Sequence, residues 1–121
     1  MVDGNGNPLF YSIALDPVFT DFVRSYRLNR VEKLMDARFQ PDFPDGAMEL
    51  KAAWQVVPPG TTPGRQFLVT GTSIPHVRVA DGQLVLDDRP GTPGEVAMLG
   101  LHVVFRIANH PEMIWATFEH V

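Results

Sequence analysis

The C-terminal end of the chain constrains the fold more than any other stretch. Two apolar-rich runs, Val96 to Ile107 and Met113 to His120, flank the turn-forming Asn109-His110-Pro111-Glu112. Side chains on a strand alternate between faces. In the first run Leu101, Val103 and Phe105 therefore oppose His102, Val104 and Arg106. In the second, Ile114, Ala116, Phe118 and His120 oppose Trp115, Thr117 and Glu119. A four-residue link sets Phe105 against Ile114, Val103 against Ala116 and Leu101 against Phe118. On the other face Val104 meets Trp115, His102 meets Thr117 and Gly100 meets Glu119. A slip of one residue would set apolar against polar along the whole hairpin, so the register is strongly specified. The pattern predicts an apolar core face and a second, polar face.

The remaining segments suit such a sheet. Asp3 to Pro8 is a turn-rich entry, followed by a short strand over Leu9–Leu15. Asp16-Pro17 reads as a helix start, with Asp capping free amides and Pro at the first helical position. Val18, Phe19, Phe22, Val23 and Tyr26 recur at helical spacing. Leu28, Val31, Leu34 and Met35 continue an apolar stripe on a second helix after a break near Asn29. Phe39 to Gly46 reads as a loop, Ala47–Val56 as a strand and Pro58 to Gly64 as a second loop. Phe67–Thr70 reads as a short strand. His76–Ala80 and Gln83–Asp87 flank Asp81-Gly82, a pair suited to a type I′ hairpin turn. Arg89 to Gly94 reads as a loop. Strands outnumber helices, and the helices come early. The fold class is α+β, a mostly antiparallel sheet packed on one or two N-terminal helices. A β-sandwich with a helical edge is the alternative.

Length and charge bound the function. The chain has 121 residues, which suits a single domain spanning 1–121 with a real core. The strand-like ending without a polar tail suggests a chain cut from something longer. There is no cysteine, which removes disulfides, thiolate metal sites and a Cys nucleophile. A net charge of −4 argues against a broad footprint on duplex nucleic acid. No apolar run approaches the roughly 20 residues needed to span a bilayer, so no membrane partner is expected.

If the Ala47–Val56 strand lies beside the hairpin, Glu49 and Lys51 join its polar face. The set then supports acid–base chemistry. His102 is the natural proton shuttle near neutral pH. Glu49 or Glu119 is the base if burial or the neighbouring carboxylate raises its pKa. Lys51 and Arg106 suit an anionic group. Thr117 orients His102, and Trp115 stacks on a ring or sugar. The chemistry is that of a small hydrolase or lyase acting on a phosphodiester or an acidic sugar. The competing reading is a non-catalytic ligand-binding or protein-interaction module, within which an oligomer or a larger assembly fits. Charges of both signs on a wet sheet face also pair for solubility and register alone. No cofactor is expected. A divalent metal on His102, Glu119 and Glu49 is the minor alternative, unsupported by any short His-x-His spacing. Asp45 with Glu49-Leu50-Lys51 imitates a magnesium nuclease pattern, but the spacing is too short for the two strands it needs. Trp54 and His120 read as packed residues, and His76 and His110 as exposed ones.

Several segments carry a resemblance. They are Val2 to Tyr11, Phe43-Pro44-Asp45-Gly46-Ala47-Met48-Glu49-Leu50-Lys51-Ala52-Ala53-Trp54, Leu99 to Val104 and Trp115 to Val121. The chain resembles a group of uncharacterised exported bacterial proteins with FPxGxxExKAAW, GLHxxxK and WxTFEHVDN segments. Arg106 stands where that pattern has Lys, and Val57 to Glu95 is poorly matched. The resemblance implies the C-terminal part of a longer protein and an extracytoplasmic setting, and it transfers no mechanism.

Overall fold

A computed structural model describes residues 7–36, 38 and 42–120. The turn-rich entry at 3–6 and the loop positions 39–41 lie outside these residues. The elements in chain order are β1 (Phe10–Leu15), α1 (Pro17–Tyr26), α2 (Val31–Leu34), β2 (Met48–Val56), β3 (Val69–Ile74), β4 (Val77–Ala80), β5 (Gln83–Leu86), β6 (Thr92–Phe105) and β7 (Ile114–Glu119). Five strands form one sheet in the order β1-β2-β6-β3, with β7 also paired to β6. A separate two-stranded sheet joins β4 and β5. The α+β class follows, with open sheets. No helix among the described residues is long and apolar enough to cross a membrane.

The backbone groups into two compact units. One contains Ile13–Lys51 and Leu101–Phe118. Its organising residue is Asp16, the N-cap of α1. Its carboxylate accepts hydrogen bonds from the Phe19 and Val18 amides at 2.9 and 3.2 Å. It also accepts from the Met48 amide at 3.0 Å, while the Asp16 amide donates to the Met48 carbonyl. One side chain thus starts the helix and ties it to β2. Phe19 and Phe22, one turn apart on α1, both pack on Phe43, with ring centroids 4.6 and 4.8 Å apart. The helix ends at Arg27, a non-glycine residue in the left-handed region with φ 55°. The break comes two residues before the expected Asn29. Val31, Leu34 and Met35, expected as part of an apolar stripe, are exposed.

The loop into β2 closes with a tight device. The Ala47 amide donates to the Pro44 carbonyl, and Gly46 at the third turn position has φ 88°. That combination is the type II turn, whose third position requires positive φ. The Gly46 amide then donates to the Arg106 carbonyl, and the Arg106 amide donates to the Ala47 carbonyl. Two residues of one strand thus face one of the other, the G1 bulge, in which glycine supplies the left-handed residue.

The other unit contains 7–12, Ala52–Gly100 and 119–120. Here β3 pairs antiparallel with the start of β6, with Val69 opposite Ala97 and Ile74 opposite Thr92. Two expectations are corrected at this point. The strand foreseen over Phe67–Thr70 runs Val69–Ile74, and the loop foreseen over Arg89–Gly94 contains the first residues of β6. Thr70-Gly71-Thr72-Ser73 has no apolar alternation, so backbone pairing alone makes it a strand. The Asp81-Gly82 hairpin forms as foreseen. Ala80 faces Gln83, and φ is 50° at Asp81 and 73° at Gly82, both positive as a type I′ turn demands.

The buried apolar residues among those described are Ala47, Ala52, Val96, Ala97 and Val104. All five are small, so among the described residues the large side chains, the Phe19–Phe22–Phe43 cluster included, are only partly covered.

Candidate functional site

The hairpin register holds where side chains report it. His102 Nδ1 and Thr117 Oγ1 share a hydrogen bond at 2.8 Å. The His120 amide donates to the Leu99 carbonyl at 2.9 Å, which keeps the same offset between the strands. Residues 99 and 120 form a hydrogen-bonded pair, so three steps along, His102 and Thr117 occupy a non-hydrogen-bonded pair. There the strands stand closer and side chains meet. The histidine tautomer decides which atom donates.

The two faces are not what alternation foresaw. Val104, between His102 and Arg106 on the expected polar face, is buried. Phe118, on the expected core face, is 60% exposed. Alternation fixes which residues share a face, but burial is set by what lies over each part of it. The connection between the strands is also longer than four residues. β6 ends at Phe105 and β7 begins at Ile114. The Arg106 backbone turns instead to Gly46 and Ala47, and Asn109 is left-handed with φ 63°.

Each predicted site residue has a definite place. His102 and Thr117 are exposed and hydrogen-bonded to each other. Trp115 on β7 is 72% exposed. Glu49 is half-buried on β2, and Lys51 is exposed on the same strand. Glu49 makes no ion pair or side-chain hydrogen bond with another described residue. Glu119 ends β7 and belongs to the other unit. Arg106 has different employment. Its side chain is only 15% exposed, and Nη1 donates to the Pro111 carbonyl at 2.7 Å. Asp42 and Asp45 lie 3.8 Å from Nη2 and Nε. The guanidinium therefore joins the loop before β2 to the turn after β6. Its buried Nε lacks a hydrogen-bond partner among the described residues. No group of three His, Asp or Glu side chains among those residues is placed to hold a metal ion.

The other histidines divide. His120 stacks on Phe67, centroids 3.8 Å apart and planes within 9°, as a packed residue would. His110 is exposed beside Glu112. His76, foreseen as exposed and incidental, is half-buried, with Nε2 3.0 Å from Thr92 Oγ1.

A recess absent from the sequence reading lies within the unit that holds β3. It is an open depression of about 340 Å³, lined by residues of β1, β2, β3 and β6. Trp54, foreseen as core, forms part of its wall, and its Nε1–H donates to Ser12 Oγ at 2.8 Å. Thr70, Thr72 and Ile74 line it from β3. The only local signal was a tryptophan followed by Gln55 in a strand otherwise apolar around it. Nothing nearby in sequence announced Ser12 or the β3 threonines as its neighbours. Volumes of 300–1,000 Å³ with apolar walls and a few polar groups are usual for small-molecule sites.

Comparison with protein-family models, with curated proteins and with solved structures returns no match.

Proposed function

We propose that this chain is a non-catalytic ligand-binding domain whose site is the recess beside Trp54. The observation that carries this reading is the recess itself, where an aromatic wall meets hydroxyl side chains in an open depression of about 340 Å³. Recessed surface desolvates a ligand, and polar groups at its edge orient it. The polar set around His102 offers less. Its histidine, threonine and tryptophan are exposed, and Arg106 is engaged by Pro111 and two aspartates.

A second reading keeps one specific support. Thr117 holds the His102 ring by Nδ1, the arrangement expected of a residue that orients a proton shuttle. On that reading the chain is a small hydrolase or lyase, with Glu49 of the same unit as base and a phosphodiester or acidic sugar as substrate.

One experiment separates the two. Amide and indole resonances are followed by NMR while small neutral ring compounds, and in a second titration glucuronic acid and a phosphodiester, are added at millimolar concentration. The expected result is saturable shifts at the Trp54 indole N–H and the Ser12 and Thr72 amides, unchanged by His102→Ala. Shifts confined to His102 and Thr117, abolished by that substitution, would overturn the binding reading in favour of the catalytic one.

A further inference from the structure

We infer that the recess beside Trp54 takes a neutral sugar ring, an inference that rests on its being a binding site. No charged side chain among the described residues lines it. A phosphate, carboxylate or ammonium placed there would lose part of its hydration with no opposite charge among the described lining residues to replace it. The ligand is therefore uncharged.

The lining is mixed: Phe10, Pro75 and Val96 add apolar surface, and hydroxyl side chains supply the polar part. Ser12, Thr70, Thr72 and Ser73 line the recess together with Trp54 and Ile74. Thr70 and Thr72 make no side-chain hydrogen bond with another described residue. An oily occupant would strip water from these hydroxyls and offer no partner in return. A sugar ring presents both surfaces at once. Its C–H face is apolar and suits an indole plane, while its rim of hydroxyls both donates and accepts.

Two features prepare the site. Ser12 accepts the Trp54 Nε1–H, which satisfies the one polar atom of the indole and fixes the ring's rotation. A preset ring loses less freedom on binding. In addition, β3 ends the strand order of its sheet. Alternate amides and carbonyls of that strand therefore point away from β6 and supply further donors and acceptors beside the threonines.

The same free edge suits an extended peptide adding as a strand, but such a ligand would use the backbone of β3 and leave the threonine hydroxyls and the indole idle. The lining chemistry favours the sugar.

The test titrates the full chain with four probes, read by Trp54 indole resonance: cellobiose, glucuronic acid, cyclohexanol and a blocked Val-Thr-Val-Thr tetrapeptide. Cellobiose is expected to shift the indole saturably, with glucuronic acid at least tenfold weaker. Thr72→Val, which removes a hydroxyl from an exposed strand position and keeps the shape, is expected to weaken cellobiose about tenfold. Trp54→Leu is expected to abolish it, with circular dichroism checking the fold of both variants. If cyclohexanol or the tetrapeptide binds at the indole and cellobiose does not, the sugar assignment is overturned while the binding reading stands. If no probe reaches the indole, both fall.

Discussion

Asp16 shows how much one side chain can settle. Its carboxyl lies below the ordinary aspartate range, first because the Met48 amide donates to it, then because the Phe19 amide does. Desolvation opposes this, and the Val18 amide adds to it. A folded pKa below the unfolded one means that stability is present above the unfolded value and is lost as pH falls through the folded value. Urea midpoints should therefore drop on acidification below about pH 4. Asp16→Asn retains a capping oxygen without the charge, so its midpoint should fall less steeply over that window. Asp16→Ala should be weaker at neutral pH too. An Asn variant with the wild-type acid slope would show that Asp16 is not the source. Arg106 sets a second expectation at this scale. Its side chain is mostly covered but its charged hydrogen bond to Pro111 lies at the surface, so Arg106→Ala should cost about 1 kcal/mol by chemical denaturation. Arg106→Lys should recover only part, because an ammonium cannot fork between the carbonyl and the two aspartates. The pairs to Asp42 and Asp45 are long and these aspartates exposed, so their single replacement should change stability by less than about 1 kcal/mol.

Among the elements, stability should be unevenly spread. β6 is paired with β2, β3 and β7, whereas among the described residues β4 and β5 pair only with each other. One face of that small hairpin carries Val77, Val79, Leu84 and Leu86, with Val79 opposite Leu84 and Val77 opposite Leu86. Val79 and Leu86 are 71% and 67% exposed. A two-stranded hairpin without a covering layer is marginal in water and is held here chiefly by its turn. Hydrogen exchange should find the β4 and β5 amides opening well before those of Ala97 and Val104 on β6. Equal protection in the two regions would contradict this account. The elements also show where sequence reasoning held. α1, β2 and the Asp81-Gly82 hairpin carry local signals: a cap with proline, an alternating run, and two residues tolerant of positive φ. β3 carries none. Its Thr-Gly-Thr-Ser core becomes a strand only because β6 extends far enough to pair with it.

At the scale of the whole molecule, the candidate sites were unequally legible. His102 beside Thr117 followed from alternation and one register, because a hairpin joins residues close in sequence. The recess beside Trp54 did not, since Ser12, Trp54 and Thr72 are brought together by strands far apart in the chain. Nor did the fate of Arg106, which depends on a bulge at Gly46 that turns the loop before β2 toward it. The sequence by itself determined the α+β class, the helix start at Asp16, the type I′ turn and the pairing of His102 with Thr117. Each is a local matter of dihedral preference, capping or side-chain period. Only the tertiary structure decided which faces are covered, what Arg106 holds and where a recess forms. Those depend on which distant strands lie side by side, and no short-range pattern encodes that.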